Sequence, residues 1–162
     1  VTPPFPPAGR VIGVDHGSAR VGLAVCDPGR VVASPLATYH RRNAALDAAY
    51  FVRLAGDERA AGFVVGLPVH LSGREGEQAA ACRTFGVWLT AVTGLPVAYW
   101  DERWTSSAAD DAMLAAGLTH KRRKEKRDRV AAQLILEAFL AGGATDMMLH
   151  AQRDADGPEI EL

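Results

Sequence analysis

Cysteine is nearly absent from this chain of 162 residues: Cys26 and Cys82 are the only two, with no C-x-x-C partner and no nearby histidine set. That excludes a disulfide-stapled scaffold and argues against a structural zinc site, so both read as small buried hydrophobes. No run approaches the ~18 apolar residues of a membrane-spanning helix. The opening Val1-Thr-Pro-Pro-Phe-Pro-Pro7 has neither the basic nor the apolar region of a secretory leader, and the expectation is a cytoplasmic protein with no membrane partner. A G-x-x-x-x-G-K-[ST] phosphate loop is missing as well. Nor is there a large excess of one charge: the formal net charge is −1, so any affinity for nucleic acid must come from cations gathered in one place.

They are gathered. Lys121, Arg122, Arg123, Lys124, Lys126, Arg127 and Arg129 face only Glu125 and Asp128, a local excess of five positive charges. The rest of the composition, 48% hydrophobic and 23% charged, is that of a soluble globular protein with enough length for one core. Three units follow along the chain: a Pro-rich arm over residues 1–9, excluded from the core; an α/β domain over 10–142; and a polar, acidic tail over 143–162.

Within the domain, Arg10–Asp15, Val21–Cys26 and Val31–Tyr39 are short β-like runs joined by turns at Gly17 and Gly29, which predicts an antiparallel meander. Asn43 is placed to cap a helix carrying Leu46, Tyr50 and Leu54, with Gly56 at its end. The continuous apolar run Gly62–Leu67 reads as a strand buried on both faces. A helix over Glu75–Thr93 with Ala81, Phe85, Trp88, Leu89 and Val92 as its stripe comes next, followed by a strand over Pro96–Asp101. Thr105 is expected to cap an Ala-rich helix to about Ala116, stopped by Gly117, and the basic stretch is then expected as a loop. Val130, Ala131, Leu134, Ile135, Ala138 and Phe139 mark a last helix with Asp128 at its start. A meander followed by alternating helices and strands implies a mixed sheet flanked by helices, with ligands at the carboxyl ends of strands.

Two acids stand at such ends, and a third at the start of a helix. Asp15 closes the first strand before His16-Gly17, Glu102 follows the strand ending Trp100-Asp101, and Asp128 precedes the last apolar stripe beside the basic run. Each has an ordinary alternative: turn chemistry for Asp15, a solvated strand end paired to Arg103 for Glu102, and an N-cap for Asp128. Brought together, however, three carboxylates repel unless a cation lies between them, and hard oxygen donors without histidine or thiolate favour Mg²⁺ or Mn²⁺. Two such ions about 3.5–4 Å apart would serve an in-line phosphoryl displacement.

With those residues in view, the chain resembles the YqgF family, the Holliday-junction-resolvase-like (RuvX-type) and pre-16S rRNA nucleases of bacteria. The resemblance covers residues 11–140 and rests on four ordered motifs: Asp15-x-Gly17-x-x-Arg20-Val-Gly22-x-Ala24; Val64-Val-Gly66-Leu67-Pro68 with Gly73; Asp101-Glu102-Arg103; and Lys124-x-Lys126-x-Asp128 with Ala131-Ala132. It implies a ribonuclease-H-like fold with a mixed five-stranded sheet, metal-binding catalytic acids at Asp15, Glu102 and Asp128, and nucleic-acid contacts from Lys124, Lys126, Arg20 and Arg103. It also implies branched DNA or precursor rRNA as partner, and a homodimer in some members. His70, Ser72, Trp104 and Arg127 depart from the family pattern without touching the three acids. Two other readings compete. One is a nucleic-acid- or ribosome-associated protein whose acids no longer catalyse, and the other is an ATP-dependent phosphotransferase, which would need a second domain of similar size that 162 residues do not provide.

Overall fold

The computed structural model describes residues 4–102 and 119–142. Strands β1 (Arg10–His16), β2 (Arg20–Cys26) and β3 (Ala33–His40) form the expected antiparallel meander. Helix α1 (Ala44–Asp57) follows, then β4 (Ala60–Leu67), α2 (Glu77–Thr93), β5 (Val97–Asp101) and α3 (His120–Gly142). Sheet order is β3-β2-β1-β4-β5, with β4 parallel to both β1 and β5.

Alternation along the strands assigns each residue a face. Ile12, Val14, Val21, Leu23, Phe63 and Val65 turn toward α1 and α2, where Phe51, Phe85 and Leu89 complete one core. Val11, Ala24, Cys26, Val64 and Ala98 turn the other way and meet Ala132, Ile135, Leu136 and Phe139 of α3. Small residues line this second face, so α3 lies close to the sheet. A Cβ on Gly13 would come within 2.7 Å of the Ala132 carbonyl oxygen, and one on Gly22 would overlap the backbone of Asp128.

Several expectations are corrected. The basic stretch 121–129 is the first part of α3, not a loop, and Asp128 is an interior residue of that helix rather than its cap. Lys, Arg and Glu are strong helix formers, no glycine or proline interrupts the run, and Lys121–Glu125, Lys124–Asp128 and Glu125–Arg129 are opposite-charge pairs at i,i+4. Thr119 closes the amino end instead, its hydroxyl accepting from the Arg122 N–H at 3.4 Å and its carbonyl from the Arg123 N–H at 2.8 Å.

Strand β3 starts at Ala33 because the Asp27 carboxylate accepts from the N–H groups of Gly29, Val31 and Val32 and holds them in a turn, leaving Val31 81% exposed. Helix α1 is capped by Asn43 as expected, but it runs past Gly56 and gives way at Arg59, whose φ is +50°. Its buried face is Asp47 and Phe51, and Leu46 is exposed. On α2, Cys82 lies in the core and Ala81 faces solvent.

Within the described part of the proline-rich arm, half-buried Phe5 packs against the core. Phe5 packs edge-on against Phe139 at 5.5 Å, and Arg30 ties the arm down through the carbonyls of Pro6 and Gly9. The helix expected at Thr105–Ala116, Arg103 and the tail 143–162 lie outside the described residues. No helix among the described residues is long and apolar enough to cross a membrane.

Candidate active site

Asp15 is the sixth residue of β1 and pairs across the ladder with Gly22 of β2. Alternation points it, like Val11 and Gly13, toward α3. Asp128 stands there because the Gly22 backbone admits the α3 main chain at close range. Glu102 follows the last residue of β5 in a tight turn, and its carboxylate reaches the same face, where Ile135 of α3 also approaches Gly66. Its carboxylate lies over Gly66 of the neighbouring strand, in space that a Cβ on Gly66 would fill. All three acids therefore occupy one side of the sheet, at the carboxyl ends of the parallel strands.

Their electrostatics are coupled in a chain. Burial, reinforced by the charge of Asp128, lifts the Asp15 carboxyl from 3.8 to about 6. Burial, with the charges of Asp15 and Asp101, lifts Glu102 from 4.5 to about 7. Asp128 is placed differently: the Arg20 guanidinium donates to its Oδ2 at 2.7 Å, the side chains 31% and 16% exposed. Arg20, predicted as a nucleic-acid contact, thus engages the third acid directly. Among the described residues no three His, Cys, Asp or Glu side chains are grouped tightly enough to hold one metal ion. Asp15 and Glu102 form the strained pair, and Asp128 is ion-paired to Arg20 beside them.

A divalent cation fits this donor set. Two half-buried carboxylates whose ionisation is disfavoured by desolvation and like charge, one titrating at about 6 and the other at about 7, are relieved when a hard cation lies beside them, and both offer oxygen. Asp15 and Glu102 would hold it, with Asp128 joining as Arg20 shares its second oxygen.

The first turns of α3 present the cations. Lys124 is exposed and Lys126 partly so, upstream of Asp128 on the same helix. That helix is pinned to β3 by Thr38, whose hydroxyl donates to the Glu125 carbonyl at 2.6 Å, and by His40, 3.1 Å from the Glu125 carboxylate. Arg103 is outside the described residues. Sequence reasoning missed the seat that Gly66 provides for Glu102. The only trace of it was a glycine inside an otherwise apolar strand, a known mark of close approach.

A mixed five-stranded sheet of this order, with acids at its carboxyl edge and a closing helix across one face, defines a ribonuclease-H-like protein. RuvC of T. thermophilus, solved in complex with a Holliday junction substrate, superposes with a TM-score of 0.50 at 16% identity, covering 83% of this chain and 94% of that one. The chain belongs to the RuvX family: residues 9–142 match its model, described as Holliday junction resolvase. Two relatives carry the name "Putative pre-16S rRNA nuclease". The protein from Rhodopirellula baltica is 44% identical over 136 residues, 84% of this chain and 79% of its own length. That from Rhodobacter capsulatus is 42% identical over 149 residues, 92% of this chain and 91% of its own.

Proposed function

We propose that the protein is a cytoplasmic, metal-dependent endonuclease that hydrolyses phosphodiester bonds of nucleic acid, with Asp15, Glu102 and Asp128 as its catalytic acids and Mg²⁺ or Mn²⁺ as cofactor. The observation that carries this reading is the pair Asp15 and Glu102, raised to about 6 and about 7 on one sheet edge, which a divalent cation would relieve. Family membership and the names of the relatives point the same way. When bound, such an ion supplies Lewis-acid activation of water and stabilises the charge on the leaving oxygen.

The chain's own residues do the rest. Asp15 and Glu102 fix the ion's place on a rigid sheet, Gly66 leaves room for the Glu102 carboxylate, and Arg20 orients Asp128. Lys124 and Lys126 draw phosphates to the amino end of α3, and Arg103 follows Glu102 directly in the chain. Because phosphate contacts carry no sequence information, selectivity rests on the shape of the substrate.

The test is direct: wild-type protein incubated with a synthetic four-way DNA junction and with a precursor 16S rRNA fragment, in Mg²⁺, in Mn²⁺ and in chelator. Cleavage of at least one substrate in metal and of neither in chelator is expected, and the preferred substrate names the physiological class. Paired cuts across a junction would further call for two copies of the chain, seen as a doubled mass in light scattering.

The commitment of Asp128 to Arg20 favours a second reading, a nucleic-acid- or ribosome-binding protein without catalysis. Binding of both substrates with no cleavage in either metal would establish it.

The lysines make a separate prediction. Lys124→Ala and Lys126→Ala should each flatten the plot of log affinity against log salt by roughly 0.7–0.9, the slope of one released counterion. Fluorescence anisotropy across a salt series measures it, and an unchanged slope removes that lysine from the interface.

A further inference from the structure

His16, one residue beyond Asp15, points to the opposite face of the sheet, and there a cleft of about 630 Å³ opens between β1, α1 and α2. That volume lies within the ~300–1,000 Å³ of small-molecule sites. One wall is aromatic. Phe85 and Trp88 stand 5.4 Å apart, tilted by 31°; Phe85 is buried and Trp88 half-buried, with a surface turned to the cleft.

The facing side is cationic and held in place. The Arg41 guanidinium lies 5.4 Å from the Phe85 ring centre, its Nη1 donates to His16 Nε2 at 3.1 Å, and its Nε is 3.6 Å from Asp47. Since an arginine can only donate, His16 Nε2 must accept, and the imidazole is neutral; burial and the Arg41 charge hold its pKa down accordingly. Asp47 is the acid in this lining, and its carboxylate is engaged by the Tyr39 hydroxyl at 2.7 Å, the Arg42 N–H at 2.9 Å and Arg41. Arg42 is exposed at the rim, and Ser18 adds a hydroxyl from the β1–β2 turn. The cleft thus combines a flat apolar wall with two guanidiniums, one of them pre-oriented. Those are the two things a nucleotide asks of a protein: a surface for its base and planar donors for its phosphate.

Position decides which nucleotide. Asp15 and His16 are neighbours on one strand, so the acids and the cleft share a single sheet edge and differ only in face. A nucleic-acid strand crossing that edge at β1 would set one phosphodiester beside the acids and an adjacent residue in the cleft. We propose that the cleft is a nucleotide subsite that takes an unpaired nucleotide flanking the cleaved bond, its base against Trp88 and its phosphate on Arg41 and Arg42. The placement rests on the nuclease reading, whereas the affinity of the cleft for an unpaired nucleotide does not.

The test uses the full chain in chelator, where nothing is cut. Anisotropy compares a short blunt duplex with the same duplex carrying a short unpaired tail. Wild type should favour the tailed duplex by about 10-fold, of the order of one stacked base. Arg42→Glu, at an exposed position, should bring that ratio to about 1, and Arg42→Lys should restore part of it. No tail preference in wild type, or an undiminished one in Arg42→Glu, overturns the proposal. So does saturable binding of free adenosine monophosphate without any tail preference, which would make the cleft a site for a free nucleotide. Cleavage of a four-way junction in Mg²⁺ is followed in parallel. Its failure counts against the nuclease reading and leaves the tail preference to stand or fall by itself.

Discussion

Asp15→Asn should abolish cleavage and at the same time make the metal-free protein more stable. The activity loss follows from removing a proposed cation ligand: several kcal/mol of transition-state stabilisation correspond to roughly 10³-fold in rate. The stability gain follows from the raised carboxyl. An unfolded aspartate ionises near 3.8, whereas in the fold Asp15 ionises only near 6. Below about pH 4 the group is protonated in both states and costs nothing. Between there and pH 6 the unfolded chain releases a proton that the folded one keeps, so stability falls as pH rises; above pH 6 the full penalty applies. At 1.36 kcal/mol per pH unit that penalty is about 3 kcal/mol. Urea unfolding at pH 8 in chelator should therefore show the asparagine variant more stable by about 2–3 kcal/mol, with the difference vanishing near pH 4. Adding Mg²⁺ or Mn²⁺ should then stabilise wild type and leave the variant almost unmoved. A variant equal to wild type at pH 8 would show that no electrostatic strain is stored at this edge.

Gly22→Ala should damage both stability and activity through one added methyl group. That Cβ would overlap the carbonyl group of Asp128 and lie 2.9 Å from its Cα. These are backbone atoms within a helix, and no rotamer change relieves them. The helix must lift from the sheet, which costs about 3 kcal/mol or more in an interior already packed. Asp128 moves with it, and if it is the catalytic acid proposed above, a displacement of about 1 Å costs on the order of 10²-fold in rate. Thermal unfolding and a cleavage assay measure the two effects. Gly56→Ala is the control: it lies within α1 with nothing inside 4 Å of the added carbon, and a gain of about 0.4–1 kcal/mol is expected. If Gly22→Ala behaves like Gly56→Ala, α3 does not depend on contact with the bare β2 backbone for its position.

Much of this architecture could be read from residues alone, and the exceptions have physical causes. The meander was legible because β1 and β2 are dense in apolar residues and bounded by turn chemistry at Gly17 and Gly29. The Asn43 cap was legible because its signal is local. By contrast, residues 121–129 carry charge on every side, so apolar periodicity has nothing to report there, although the helix propensity of Lys, Arg and Glu favoured the observed state. Spacing alone groups Leu46 with Tyr50 and Leu54, and Ala81 with Phe85 and Trp88, yet Leu46 and Ala81 are exposed. Spacing fixes which residues share a face but leaves the helix free to roll until Phe51 and Cys82 found the core.

Of the acids, strand ends pointed to positions 15 and 102 and the neighbouring basic run to position 128, and the structure puts all three on one side of the sheet. The pairing of Arg20 with Asp128, 108 residues apart, and the seat of Glu102 over Gly66 are products of topology and leave no local pattern. The cleft beside His16 is of the same kind, since Arg41 and Trp88 belong to different elements that only the sheet brings together.

Helix α3 has 23 residues and spans about 35 Å as one rod. Beyond Asp128 one face of it, Ala132, Ile135, Leu136 and Phe139, is buried, whereas before Asp128 the side chains of Lys121, Arg122, Lys124 and Arg127 are exposed. Substitutions that add or remove cations at those exposed positions can therefore change the local charge without disturbing the buried face. The reverse does not hold: Asp128 lies one helical turn beyond the pinned Glu125 and precedes the buried face, so a repacking of that face strains the acid's position against the Thr38 and His40 contacts.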